Sequence, residues 1–326
     1  MENNKGEVVL FPKWKEKLRK EGLEAVTQHK YEEAVESLEP LLQHDEADDE
    51  VTTGLLIAWV GIGRYEEAEN VCLNRMKVSE SNYFQYLHIY ITILFHDGKY
   101  KELMDLVDEV LEREDVPHDV RTQLWQMYNV SKDIEDTQKK AEEASLVEEL
   151  QKAWKKKDAP KQYALIKRLI THSPEAQWEF LCEWLKDEET HPVVKTAIIE
   201  WFQSWNINNS AEVHKFNNSI SIIPVETGTP FSHYIVKHIE FRLASIEQNN
   251  PAMYEIIATM LHRYIYIRYP FLPTENEVPL IIEALKTIGN EYLQLDDAPT
   301  KIEADIESYK QDIEIANQEY KSITGE

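Results

Sequence analysis

The sequence predicts an almost entirely α-helical fold: helix pairs stacked side by side at the N-terminal end, then a C-terminal helical domain carrying one small β-hairpin. Three observations carry this. The segment Lys30-Tyr31-Glu32-Glu33-Ala34 returns as Arg64-Tyr65-Glu66-Glu67-Ala68, 34 residues further on. Glycine is scarce, nine in 326 residues, whereas strand-and-turn folds need more. Apolar residues recur at helical spacing over most of the chain.

A third copy, Gly98-Lys99-Tyr100-Lys101-Glu102-Leu103, follows one residue late. In the first copy Gly22 is the small contact residue of the first helix and Ala34 that of the second, with Leu38 and Leu41 four and seven residues beyond it on one helical face. The equivalents are Leu56, Ala68 and Cys72, then Ile91, Leu103, Val107 and Val110; Arg75 stands where the second copy should carry another apolar residue. Helix pairs repeating every 34 residues are the mark of the tetratricopeptide repeat (TPR). Residues 12–115 resemble three such repeats, although the glycine survives only in the first and the closing proline is missing from all three. The resemblance implies an all-α, TPR-like helical-repeat solenoid. Each pair covers apolar surface that its neighbour cannot bury alone, and first-helix side chains line a concave face. The tyrosine of each copy is expected to wedge between the two helices of its own repeat.

Beyond the repeats the signal loosens. Residues 118–130 read as one amphipathic helix, and 131–157 as a second, highly charged one with Leu146, Leu150 and Trp154 on a stripe. Residues 159–172 form a third, with Pro160 in the first turn, where its missing N–H costs little. Leu150, Ala164 and Pro174 suggest a degenerate fourth pair, so 116–174 reads as irregular TPR-like helices. A C-terminal helical domain is expected over 175–298. It opens with two Trp-rich helices within 175–205, and the turn and helix from Asp187 to Ala197 resemble one HEAT-like unit.

Residues 211–225 predict the hairpin. Val213, Ile220 and Ile222 alternate with polar neighbours, and Asn217-Asn218 supplies residues that tolerate the positive φ of a two-residue turn. The hairpin would cap the helical stack or offer an edge to a partner strand. Helices near 231–247, 251–268 and 278–293 follow, punctuated by Pro230, Pro251, Pro270, Pro273 and Pro279. A C-terminal amphipathic helix is expected over 299–326, where Ile302, Ile306, Tyr309, Ile313, Ala316 and Tyr320 form a coiled-coil-like stripe. It would pack on the preceding helices or pair with a second chain.

Charge and motifs narrow the function. The net charge of −25 repels nucleic acid and anionic membrane surfaces and favours basic partners. Residues 31–50 hold nine acids and no Lys or Arg, whereas Lys13, Lys15, Lys17, Arg19 and Lys20 form a basic stretch; either run is a solvated surface or a docking face. Cys72 and Cys182 are the only cysteines, so neither a disulfide framework nor a zinc site is expected. The first fifteen residues carry acids, a four-residue apolar stretch and an early proline, unlike a signal peptide. No apolar run is long enough for a membrane span. A cytoplasmic location is expected.

P-loop, GxSxG, HExxH and GxGxxG patterns are missing from the sequence. Gly61-Ile62-Gly63 reads as a turn, with Glu66 where a third glycine would stand. His44 to Glu50 is rich in oxygen ligands but lacks the turn glycine and closing glutamate of a calcium loop. His262 to Tyr269 is dense in aromatics and Arg, residues of cores and of interface hot spots alike. No catalytic residue, metal or cofactor is assigned, and a non-enzymatic protein is expected.

The site expected is the TPR groove. Arg19, Leu23 and Val26 would line it from the first repeat, Thr53, Ile57 and Val60 from the second, and Gln85, His88, Thr92 and Phe95 from the third. TPR proteins that clamp a C-terminal carboxylate carry Lys and Arg in their third repeat, where this chain has Gln85 and Ile89. An apolar or amphipathic segment of a protein partner is therefore the expected ligand. The chain as a whole resembles a TPR-containing type found in Firmicutes, through its three repeats, the hairpin entry and residues 262–273. That resemblance implies a cytoplasmic adaptor or scaffold, linked to regulated proteolysis or control of cell-wall synthesis. The alternative is a self-assembling, dimeric protein that uses the C-terminal helix and the hairpin edge.

Overall fold

The computed structural model describes residues 11–78, 82–113, 115–295 and 303–325. It is all-α apart from one hairpin, with TPR-like helix pairs followed by further helices. The chain divides into two units between Lys140 and Ala141. That boundary falls inside a helix, rather than near residues 115 and 174 where the sequence suggested changes of domain. Among the described residues no helix is long and apolar enough to cross a membrane.

The first unit holds α1 (Pro12–Thr27), α2 (Tyr31–Gln43), α3 (Asp49–Gly61), α4 (Tyr65–Val78), α5 (Tyr83–His96), α6 (Tyr100–Leu111) and the start of α7 (His118–Lys155). Pro12 opens α1 with its φ already set for a helix. Asp48 caps α3 by accepting the Val51 N–H at 2.8 Å. Tyr31, Tyr65 and Tyr100 are each the first residue of a second helix, so they hold matching places.

The turns match as well. Each first helix stops at a left-handed residue: His29 (φ 58°), Gly63 (φ 77°) and Gly98 (φ 74°). The next N–H, of Lys30, Arg64 and Lys99, reaches back to the carbonyl of Ala25, Trp59 and Leu94 at 2.9, 2.8 and 2.9 Å. This is the Schellman stop, which satisfies carbonyls that the helix leaves orphaned.

Tyr31 touches His29 in the turn of its own repeat, its hydroxyl 2.8 Å from the imidazole, but also reaches beyond that repeat. A Cβ added to Gly61, the last residue of α3, would lie 2.2 Å from the Tyr31 ring. The tyrosine therefore lies against the first helix of the next repeat. A helical side chain leans toward the N-terminus of its helix, which carries a first-position ring out over the turn. Gly61 is thus a close-approach residue, and Gly63 is the turn. Arg75 is half-buried because its guanidinium donates to the Ala47 carbonyl and the Thr52 hydroxyl, both at 3.2 Å. One core gathers Ala34, Leu38, Leu41, Leu55, Leu56, Ala68 and Cys72. A second joins Leu87, Ile91, Leu94, Leu103, Val107 and Val110 to Leu124 of α7.

The second unit holds the rest of α7, then α8 (Ala159–Leu169), α9 (Trp178–Lys186), α10 (Pro192–Ser204), β1 (Ala211–Lys215), β2 (Asn218–Ile222), α11 (Pro224–Thr227), α12 (Tyr234–Asn249), α13 (Pro251–Arg268), α14 (Val278–Tyr292) and α15 (Ala304–Thr324). The sequence suggested two helices over 118–157. They are one, because neither Gly nor Pro interrupts the run from His118 to Lys155.

The turn between the end of α7 and α8 repeats the stop geometry of the N-terminal pairs. Lys157 takes the left-handed place (φ 55°), and the Asp158 N–H reaches the Ala153 carbonyl at 3.0 Å. Leu150 is buried at the place of Gly22, while Gln162, Ile166 and Leu169 are buried at the places of Ala34, Leu38 and Leu41. Ala164, expected to be the small contact residue, is exposed. Gln162 fills that role by donating its amide to the Ala153 carbonyl at 3.3 Å.

In the hairpin Val213 pairs with Ile220 and Lys215 with Asn218. Its turn is Phe216-Asn217 (φ 52° and 58°), one residue earlier than expected. This register buries Ala211, Val213 and Lys215 along one face of β1. A slip by one residue would turn that face outward. Phe216 accepts the turn under the Arg268 guanidinium, 5.4 Å from its ring.

The C-terminal stripe is used within the chain. Ile313, Ala316 and Ile323 share a core with Ile257, Tyr264, Ile281 and Leu285, against which Ile306, Tyr309 and Tyr320 also pack. Ile302 and the N-terminal residues 1–10 lie outside the described residues. Tyr264, Ile265, Tyr266, Ile267 and Tyr269 are all buried, so the aromatic segment of α13 is core.

Candidate functional site

The first helices α1, α3 and α5 are neighbours and present one face. Within it the Gln85 amide reaches the Thr53 hydroxyl at 3.4 Å, tying the second repeat to the third. The expected groove residues divide by what they touch. Ile57 of α3 is 43% exposed, and Gln85 and His88 of α5 are exposed as well. Leu23, Val26 and Val60 are half-buried against the first core. Thr92 donates its hydroxyl back to the His88 carbonyl at 2.9 Å. Phe95 packs on the second core, its ring edge-on to Tyr100 with centroids 5.6 Å apart.

Arg19 is not a free cation. It pairs with Glu50 and, at 3.3 Å, with Asp48. Lys15 pairs with Glu46 in the same way. The acid-rich stretch before α3 thus has protein partners. Asp49 also accepts the Tyr86 hydroxyl at 2.7 Å and the Asn82 amide at 2.6 Å. Burial first, then Asp49, push the Tyr86 phenol above its ordinary range. Among the described residues no group of three His, Cys, Asp or Glu is placed to hold a metal ion.

Two buried lysines in the second unit went unsignalled by any motif or spacing. Lys195, in the first turns of α10, is 1% exposed and donates to the His214 carbonyl. Lys215, at the end of β1, donates to the Thr196 hydroxyl at 2.7 Å and to the carbonyls of Ile267 and Tyr269. Burial lowers Lys195 to about 8 and takes Lys215 well below its ordinary range. Burial, then Lys215, lowers His191 to about 4; this imidazole stays neutral and accepts the Val193 N–H at 3.2 Å as the cap of α10.

A stability prediction follows for Lys195. Between its lowered folded value of about 8 and the ordinary 10.5, the unfolded chain holds a proton that the folded chain has lost. Stability therefore rises with pH across that window. The wild type should gain about 2–3 kcal/mol relative to Lys195→Met between those limits. Urea unfolding of both proteins from pH 7.5 to 10.5 (~0.5-unit steps) reads the difference, and parallel curves would contradict it.

The fold and the first-helix face resemble those of helical-repeat proteins of the tetratricopeptide type. The chain is similar over most of its length to the TPR repeat-containing protein YsoA of Bacillus subtilis (strain 168), with 27% identity over 290 residues that cover 87% of this chain and 86% of the relative. This likeness supports the tetratricopeptide resemblance, but not the narrower one to the YpiA type of Firmicutes protein. No protein-family model matches the chain, and no solved structure matches it.

Proposed function

We propose that the chain is a non-enzymatic, cytoplasmic adaptor or scaffold whose first-helix face binds an apolar or amphipathic segment of a partner protein. The observation that carries this is Ile57, a 43% exposed isoleucine on α3, the helix whose Thr53 hydroxyl meets the exposed Gln85 amide of α5 at 3.4 Å. With Arg19 matched by Glu50 and Asp48, the face offers apolar contact and neutral hydrogen bonds rather than a charge clamp. The net charge of −25 favours a partner with basic flanks.

The double variant Ile57→Ala, His88→Ala should abolish recovery of the partner from the native host while leaving thermal unfolding within a few degrees of wild type. Undiminished recovery would reject the face. Phe95→Ala is a poorer probe, because removing a half-buried ring should itself cost about 2 kcal/mol in urea unfolding. The identity of the recovered partner tests the role in regulated proteolysis or cell-wall synthesis control that the Firmicutes resemblance implies.

Self-assembly is the weaker reading, because Ile313 and Ala316 of the C-terminal stripe are already buried within the chain. The hairpin still offers it β2, whose residues 218–221 are exposed. A monomer by light scattering would remove this reading.

A further inference from the structure

The hairpin turn and the start of α10 enclose a cavity of about 360 Å³, lined in part by Pro192, Lys195, Phe216, Asn217 and Ser219. That volume falls within the range of roughly 300–1,000 Å³ typical of small-molecule sites. Its chemistry is set by Lys195. The side chain is 1% exposed, and among the described residues its amine donates to one acceptor, the His214 carbonyl. An ammonium has three protons to place. Among the described residues no carboxylate forms an ion pair with it: Asp187 and Glu188 act on it only at longer range.

The neighbouring Lys215 shows what a satisfied buried lysine looks like in this fold. It reaches three acceptors, the Thr196 hydroxyl and the Ile267 and Tyr269 carbonyls. Among the described residues Lys195 has no such shell, and it forms part of the cavity wall. A buried cation without a counter-charge is costly unless something pairs with it. Asn217 and Ser219, on the hairpin turn and the strand after it, could add neutral hydrogen bonds. The Phe216 ring and Pro192 offer apolar cover. Glu188 also lines the cavity and disfavours an anion close to its own carboxylate.

We propose that this cavity binds a small molecule through a carboxylate or phosphate group that pairs with Lys195. The site lies wholly in the second unit and does not depend on the repeat face binding a partner. The full chain should be titrated calorimetrically at low ionic strength with inorganic phosphate and, separately, with succinate. At least one should bind saturably at one site per chain, and which one does distinguishes the phosphate from the carboxylate source. Lys195→Met should weaken that binding about ten-fold or more, the loss expected for one charge-assisted hydrogen bond. Asn217→Gly removes an amide at a position whose φ of 58° suits glycine, so the turn should survive. It should weaken binding about three-fold, the effect of a neutral hydrogen bond, and it carries the test if Lys195→Met fails to fold. Saturable binding of neither anion, or unchanged affinity in whichever variant folds, would overturn the proposal.

Discussion

Lys215→Ala is expected to destabilise the protein by about 3–5 kcal/mol, through buried carbonyls that lose their donor and a void left by the side chain. Two of the Lys215 acceptors, the carbonyls of Ile267 and Tyr269, lie at the C-terminal end of α13, where helix geometry leaves carbonyls without an amide partner. The third acceptor, the Thr196 hydroxyl, in turn donates to the Tyr266 carbonyl at 2.7 Å. One lysine side chain therefore joins β1, α10 and the end of α13. Alanine would take this donor from the Ile267 carbonyl and leave the Tyr269 carbonyl only the longer Thr196 hydroxyl contact of 3.5 Å, each loss costing about 1–3 kcal/mol when buried. It would also leave a void where the four-carbon stem had been. Lys215→Met refills most of the void, so the difference between the two variants separates packing from hydrogen bonding. Urea unfolding followed by circular dichroism measures both. An alanine variant within about 1 kcal/mol of wild type would show that the lysine is a tolerated burden rather than a tie.

The sequence displayed the repeats because their period and their stop geometry coincide. The fourth such turn was half-hidden. Ala159 replaces the tyrosine and Gln162 the small residue, yet Lys157 still takes the left-handed turn that His29, Gly63 and Gly98 take. Direction was harder to see than position. Nothing local to Tyr31 shows that its ring lies on Gly61, thirty residues on. Arg19 read as the cation of the groove because its acidic partners, Asp48 and Glu50, belong to the next repeat. The hairpin was placed to within one residue, since Phe216 at positive φ runs against the usual preference for Asn or Gly. Lys215 was invisible for a similar reason. In isolation it is a polar residue at the end of a strand, and its burial arises only where α10 and the end of α13 converge on it from 19 to 54 residues away.

Gly22 tests the packing of the repeats, because two effects oppose each other there. It lies inside α1, where alanine would be favoured by about 1 kcal/mol on helix propensity alone. But a Cβ at Gly22 would lie 2.3 Å from Leu38 Cδ2 and 2.5 Å from its Cγ. Leu38 is fully buried and cannot swing aside. A Cβ on Gly54, in the next repeat, would also come within 3.3 Å of Leu38. Leu38 is thus a knob seated between two glycines, and overpacking such a site costs about 1–3 kcal/mol. Gly22→Ala should therefore destabilise despite its better propensity, and Gly22→Leu should cost about 3 kcal/mol. The second and third repeats carry Leu56 and Ile91 at this place, and there the residue matching Leu38 is smaller: Cys72 and Val107. If these positions share one volume, Gly22→Leu combined with Leu38→Cys recreates the second repeat's pairing. It should be more stable than the sum of its parts predicts by at least about 1 kcal/mol in a double-mutant cycle read by urea unfolding. Additive losses would mean that the stacked pairs do not share a packing rule, and that the resemblance among them is one of turns alone.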